Sequence, residues 1–162
     1  MKLQQGDCLG CRLAHGIEVA HIVYENEWVA CLLDIDPFSE GHMLILPKQH
    51  SVEWTDLDER TMQKVCEAVT SLSHGLNKLY KPDGITICQN GGAFNELTHF
   101  HMHVIPRFQY DGFAWSDPLH EHGAASRLAA TRTKVAEALH NLFGDTAVNT
   151  KKETENDQSE QR

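Results

Sequence analysis

The sequence predicts an α+β domain: an antiparallel sheet of about five strands, a long helix across it and a second helix near the C-terminus. Three observations carry this. Short apolar runs of strand length come in groups bounded by turn formers, one long amphipathic stretch divides two such groups, and the order strands, helix, strands, helix lacks the alternation a doubly wound parallel sheet requires.

The elements follow in order. Residues 20–24 and 28–33 read as two strands joined by the polar turn Glu25-Asn26-Glu27, a hairpin. A connection rich in turn formers, Asp34-Ile35-Asp36-Pro37-Phe38-Ser39-Glu40-Gly41, leads to His42-Met43-Leu44-Ile45-Leu46. That run is nearly unbroken in apolar residues and closed by Pro47, as expected of a central strand buried on both faces. Thr55 or Asp56 is placed to cap a helix with Asp58 and Glu59 in its first turn, where the dipole favours them. Leu57, Met62, Val65, Val69, Leu72, Leu76 and Leu79 recur at threes and fours, so one stripe faces a core until Pro82 stops the helix. Asp83-Gly84 is a turn, residues 85–89 a strand, Asn90-Gly91-Gly92 a bend, and residues 97–105 a further strand. A second helix is expected over about 124–143, using Leu128, Val135, Leu139 and Leu142. Beyond it the chain is polar with almost nothing to bury, so residues 1–144 read as one domain and 145–162 as a disordered tail.

The composition narrows the function. The chain has 162 residues, 41% hydrophobic, with 14 Lys+Arg against 23 Asp+Glu and a formal charge of −9. That balance disfavours non-specific nucleic acid binding, which needs clustered positive charge to displace counterions. No apolar run approaches the roughly 18 residues of a spanning helix, and the first residues lack the apolar core of a secretory signal. The expectation is therefore a cytoplasmic protein that binds neither nucleic acid nor membrane and whose partner is a small molecule. In a reducing compartment Cys8-Leu9-Gly10-Cys11 reads as a pair of metal ligands or redox thiols rather than a disulfide. Cys31, Cys66 and Cys88 lie in apolar segments and are expected as small core residues.

The most informative stretch is Thr98-His99-Phe100-His101-Met102-His103-Val104-Ile105-Pro106. On a strand, residues two apart share a face, so His99, His101 and His103 would line one side at intervals of roughly 6.6 Å, with Phe100, Met102 and Val104 packing behind. Imidazole is a nucleophile, a proton carrier near neutral pH and, when cationic, a phosphate ligand. One ring attacking phosphorus while a neighbour protonates the leaving group requires such crowding, and the Asn90-Gly91-Gly92 bend offers backbone N–H groups to an anion. Lys48 and Arg107 are further candidates to approach a phosphate.

This pattern, His-φ-His-φ-His-φ-φ over residues 99–105, resembles the signature of the histidine triad (HIT) nucleotide hydrolases and transferases. The resemblance extends through Asp34-Ile35-Asp36-Pro37 and Gly41-His42-Met43-Leu44-Ile45-Leu46-Pro47-Lys48-Gln49-His50 and spans about residues 8–108, so a HIT-like fold is implied. It implies that His101 is the nucleophile and that His103 assists at the phosphate and leaving group. It further implies that Asp34 binds the ribose hydroxyls, Ile35 contacts the base, His42 is a fourth histidine close to the site, Asn90 lies beside the phosphate, and Asn95 with Glu96 is the pair preceding the triad. The chain departs from many relatives in a shorter stretch between Asn90 and His99, in Phe94 where glycine is common, and in Glu96 where Ser or Thr is common.

The same resemblance, to the zinc-containing, Hint-like branch, implies a closed structural zinc site of Cys8, Cys11, His50 and His99. The remaining histidines either are wanted for chemistry or lie outside the matching blocks. The expected activity is cleavage at the α-phosphorus of a purine nucleoside phosphoramidate through a nucleotidyl-histidine, in a homodimer. Dinucleoside polyphosphates are the alternative substrates, and the complete third histidine argues against the sugar-nucleotide transferase branch. A rival of another class is a zinc-stabilised nucleotide-binding module without turnover. The segment Phe113-Ala114-Trp115 is a candidate for substrate choice.

Overall fold

The computed structural model describes residues 8–114 and 123–143; Trp115, His120, His122 and the expected tail over 145–162 lie outside the described residues. The chain divides into two units, Met1–Ala114 and Trp115–Arg162. The first carries α1 (Leu9–Ala14), β1 (Ile22–Glu25), β2 (Val29–Leu33), β3 (Met43–Pro47), α2 (Glu59–Tyr80), β4 (Gly84–Cys88) and β5 (Met102–Arg107). Its five strands form one antiparallel sheet in the order β1-β2-β3-β5-β4. The second unit carries α3 (Leu128–Phe143), entered through a 3₁₀ turn at Ala125–Arg127. Its Leu128, Val135, Leu139 and Leu142 are exposed rather than buried as the apolar stripe predicts.

Each sheet face has its own core. Val29, Cys31, Met43, Ile45, Met102 and Val104 pack against Val65, Ala68 and Leu76 of α2, while Ala30, Leu32, Leu44 and Leu46 meet Ala14 of α1. β3 is buried at every residue because α2 covers one side and α1 approaches the other, which is why its sequence does not alternate.

Several boundaries differ from expectation, each for a local reason. Asp58, in extended conformation, accepts the Thr61 N–H at 2.8 Å and is the N-cap of α2, so the helix begins at Glu59. Asp56 instead closes a separate 3₁₀ turn at Trp54–Asp56 by accepting the Glu53 N–H. Leu79 and Cys66 point outward from α2 and are exposed. β5 begins at Met102, not at residue 97, because Thr98 takes a positive φ of 50°, a conformation that breaks any strand and costs a β-branched residue most.

Candidate active site and metal centre

On β5, Met102 and Val104 face α2, so His103 faces the other side, opposite Leu44 and Cys88 on the flanking strands. His101 sits just before the strand and is buried. Its ring meets the ring of His103 edge-on, with centroids 4.9 Å apart. His42, the residue before β3, completes the group with its Nε2 3.0 Å from His103 Nδ1.

The partners set the tautomers. His101 Nδ1 lies 2.9 Å from the carbonyl of His99, which can only accept, so Nδ1 carries the proton and Nε2 keeps a free lone pair. The Phe38 N–H donates to His42 Nδ1 at 3.3 Å, so His42 carries its proton on Nε2 and donates it to His103 Nδ1. His103 therefore holds its own proton on Nε2. Two adjacent imidazoles thus present opposite functions, a lone pair and an N–H. Asp34 stands behind them, its Oδ2 3.5 Å from His42 Nε2 and 3.9 Å from His103 Nδ1, while its Oδ1 accepts the Asp36 N–H. Burial, followed by the neighbouring imidazoles, pushes His103 down to about 4, against the opposing pull of Asp34. His42 is lowered by burial too. Both are neutral near pH 7.

His99 turns away from this pair. Its Nε2 donates to the Pro47 carbonyl at 2.9 Å, which aims the Nδ1 lone pair at two thiols, 3.6 Å from Cys8 Sγ and 3.5 Å from Cys11 Sγ. Cys11 Sγ lies 3.3 Å from His50 Nδ1, and the four ligand atoms all lie within 4.8 Å of one another. A tetrahedral zinc with its usual bonds would set S···N edges of about 3.6 Å, so this donor set fits the metal in type and spacing. α1 makes the site possible, since the Cys11 N–H donates to Cys8 Sγ and folds the two thiols onto one side. Gly10 lets His99 pack against that turn: a Cβ there would lie 2.2 Å from His99 Cβ. Lys48 fastens the same turn to β3, its Nζ donating to the Ala14 carbonyl and to Glu25, while His15 Nε2 donates to the Lys48 carbonyl. The triad is thus split between two centres joined through His99, whose ring faces the thiols and whose carbonyl holds His101.

Other expected residues are placed differently. Ile35 is 97% exposed beside Asp34, and Asn90 and Glu96 are exposed. Asn95 pins its loop, donating to the Val52 carbonyl and accepting the Leu97 N–H. The Gly92 N–H expected to meet an anion is instead donated to the Glu53 carboxylate at 2.9 Å. Lys48 is committed to the partners above, and Arg107 pairs with Asp111 through two contacts of 2.6 and 2.8 Å. Of the residues that sequence reasoning passed over, Phe38 matters most, since its backbone sets the tautomer of His42; a loop phenylalanine carries no signal of that role.

The HIT domain model matches residues 17–110. An uncharacterized HIT-like protein of Borreliella burgdorferi is 34% identical over 113 residues, 67% of this chain and 81% of that protein. Adenylylsulfatase HINT3 of Arabidopsis thaliana is 31% identical over 120 residues, 73% of this chain and 61% of that protein. A solved Zn-bound histidine triad family protein from Mycobacterium smegmatis shares the fold with a TM-score of 0.63 and 28% identity, over 83% of this chain and 99% of that one.

Proposed function

Because the chain belongs to the histidine triad (HIT) family, we propose that it is a nucleotide hydrolase acting at an α-phosphorus through a covalent nucleotidyl-histidine on His101. The observation that carries this reading is the opposed tautomers of His101 and His103. His101 Nε2 attacks phosphorus in line with the leaving amine, phosphate or nucleotide; the P–N or P–O bond breaks as the Nε2–P bond forms. A bound phosphate anion favours the charged imidazole, so substrate binding loads His103 with the proton it passes to the leaving group. Water then attacks phosphorus, its proton goes to His103, and the Nε2–P bond breaks. Asp34 holds the ribose hydroxyls, Ile35 meets the base, Asn90 lies beside the phosphate, and Asn95 with Glu96 adjoins the substrate ahead of the triad.

Cys8, Cys11, His50 and His99 would hold zinc, which ties α1 to the segment carrying His101 and contributes structure. The reading includes a cytoplasmic homodimer acting on purine nucleotides. Nucleoside phosphoramidates are the preferred substrate class and dinucleoside polyphosphates the next; the name of the Arabidopsis relative adds adenylyl sulfate to the panel.

In that panel His101→Ala should lower turnover at least about a thousandfold while the folded protein still binds adenosine monophosphate. Brief mixing of the wild type with substrate should leave an acid-labile nucleotidyl mass on His101. Undiminished turnover by the variant would end the proposal, and binding without turnover by the wild type would favour the non-catalytic module.

A further inference from the structure

Asp34, His42 and His103 form a second cluster of metal-ligand type, apart from the thiol centre. His42 Nε2 and His103 Nδ1 are 3.0 Å apart, and Asp34 Oδ2 lies 3.5 Å from the first and 3.9 Å from the second. A tetrahedral zinc with its usual bonds to nitrogen and oxygen would set edges of about 3.3 Å, so the three atoms already approximate one triangular face of such a site. Two imidazoles with one carboxylate are a donor set that suits transition metals, whereas calcium and magnesium take oxygen ligands.

Each ligand is held from behind. The Asp34 N–H donates to the His42 carbonyl, the His42 N–H to the Ser39 carbonyl, and Ser39 Oγ to the Pro106 carbonyl of β5. Asp34 Oδ1 accepts the Asp36 N–H, which leaves Oδ2 for the imidazoles. Gly41 lets His42 into place, since it takes a φ of 87° and a Cβ there would lie 2.7 Å from the Tyr80 ring of α2. His42 is buried, whereas the side chains of Asp34 and His103 stay 15% and 14% exposed, so a metal on this triangle keeps a position open to solvent. Binding needs one rearrangement. The His42 proton moves from Nε2 to Nδ1, and the bond given up is the long one, 3.3 Å from the Phe38 N–H.

We propose that Asp34, His42 and His103 are a second metal site, for one divalent transition metal of the zinc type, and that filling it switches turnover off. The effect on turnover rests on the reading above, in which His103 protonates the leaving group and Asp34 holds the ribose. A metal on His103 Nδ1 keeps that ring from taking up a proton. A metal on Asp34 Oδ2, with Oδ1 already bonded to the Asp36 N–H, takes the carboxylate from the ribose hydroxyls. Metal and nucleotide therefore exclude each other. The two centres differ in kind: the thiol centre offers four protein ligands and binds tightly, while the triangle offers three and binds more weakly.

The experiment is titration of the full chain, loaded with one equivalent of zinc, with cobalt(II). Zinc has no visible spectrum, so cobalt reports the second site alone. The wild type should take up one cobalt, with visible ligand-field absorption and without the near-ultraviolet band of a cobalt thiolate. Turnover should be lost as that site fills and return when a weak chelator removes the cobalt. Asp34→Asn and His42→Gln should each weaken cobalt binding at least about tenfold and keep the first zinc, which shows that they fold. Saturating adenosine monophosphate should weaken cobalt binding to the wild type as well. Absence of a saturable cobalt signal, a thiolate band, or undiminished binding in both variants overturns the site. Cobalt binding that leaves turnover and nucleotide affinity unchanged overturns the switch. A wild type without any turnover overturns the hydrolase reading and leaves the metal site to stand on its spectrum and its variants.

Discussion

A single backbone carbonyl divides the work of the triad. The His99 peptide oxygen accepts the His101 Nδ1 proton while the His99 ring faces the thiols, so one residue serves both centres by different atoms. That three histidines in alternation carry chemistry was legible in the sequence, because few other residue types can act as nucleophile, acid and metal ligand. Which nitrogen of His103 bears the proton was not, because the deciding groups, the Phe38 N–H and His42, lie about sixty residues away along the chain. The burial of His103 has a consequence for stability. Its ordinary value of 6.5 falls to about 4 in the fold, so between those limits the unfolded chain binds a proton that the folded chain refuses. His103 thus favours folding fully above about pH 6.5, and stability is lost as the pH falls toward 4. Unfolding free energies from urea titrations at pH 7 to 4.5 should fall less steeply in His103→Gln than in the wild type, by up to about 1.4 kcal/mol per pH unit. Parallel curves would show that His103 is not held neutral by the fold.

Among the elements, α1 shows how a short helix depends on what it touches. Six residues are too few to be stable alone, so α1 forms because the thiol cluster, the Lys48 contacts and the apolar Ala14 hold it on the sheet. Gly10 is the residue on which this turns. Gly10→Ala should reduce bound zinc well below one per chain and lower the melting temperature, because neither backbone nor the His99 ring can yield to a Cβ at 2.2 Å. Gly75→Ala is the matching control: it lies within α2 with nothing within 4 Å of its Cβ, and should raise stability by roughly 0.5–1 kcal/mol. Elemental analysis and thermal unfolding of both variants test the pair, and full zinc in Gly10→Ala would refute the account. The five strands, α2 and α3 were readable from periodicity, whereas α1, six residues held by tertiary contacts, was not. The start of β5 was not either, since Thr98 takes a positive φ just before His99, and nothing in a threonine announces this.

At the scale of the whole molecule, the order β1-β2-β3-β5-β4 leaves β4 at an edge, with Ile87 48% exposed. No helix among the described residues is long and apolar enough to cross a membrane. An apolar edge strand whose outer side pairs with no other strand among the described residues invites pairing with a second copy, which agrees with the proposed homodimer. Sedimentation should give the wild type twice the chain mass and Ile87→Lys the mass of one chain. A monomeric wild type would remove the dimer from the proposal.

By itself the sequence determined the fold class, the family and the order of the five strands, α2 and α3, because those depend on periodicity and on residue types at short spacing. Tertiary structure alone decided that the His99 carbonyl holds the His101 ring, that Glu53 takes the Gly92 N–H, that Arg107 braces Phe113, and that Cys66 is exposed. The hydrogen bonds depend on which donor meets which acceptor, and the exposure of Cys66 on which side of α2 meets the sheet. Donors and acceptors far apart in the chain are matched only when packing brings them within about 3 Å.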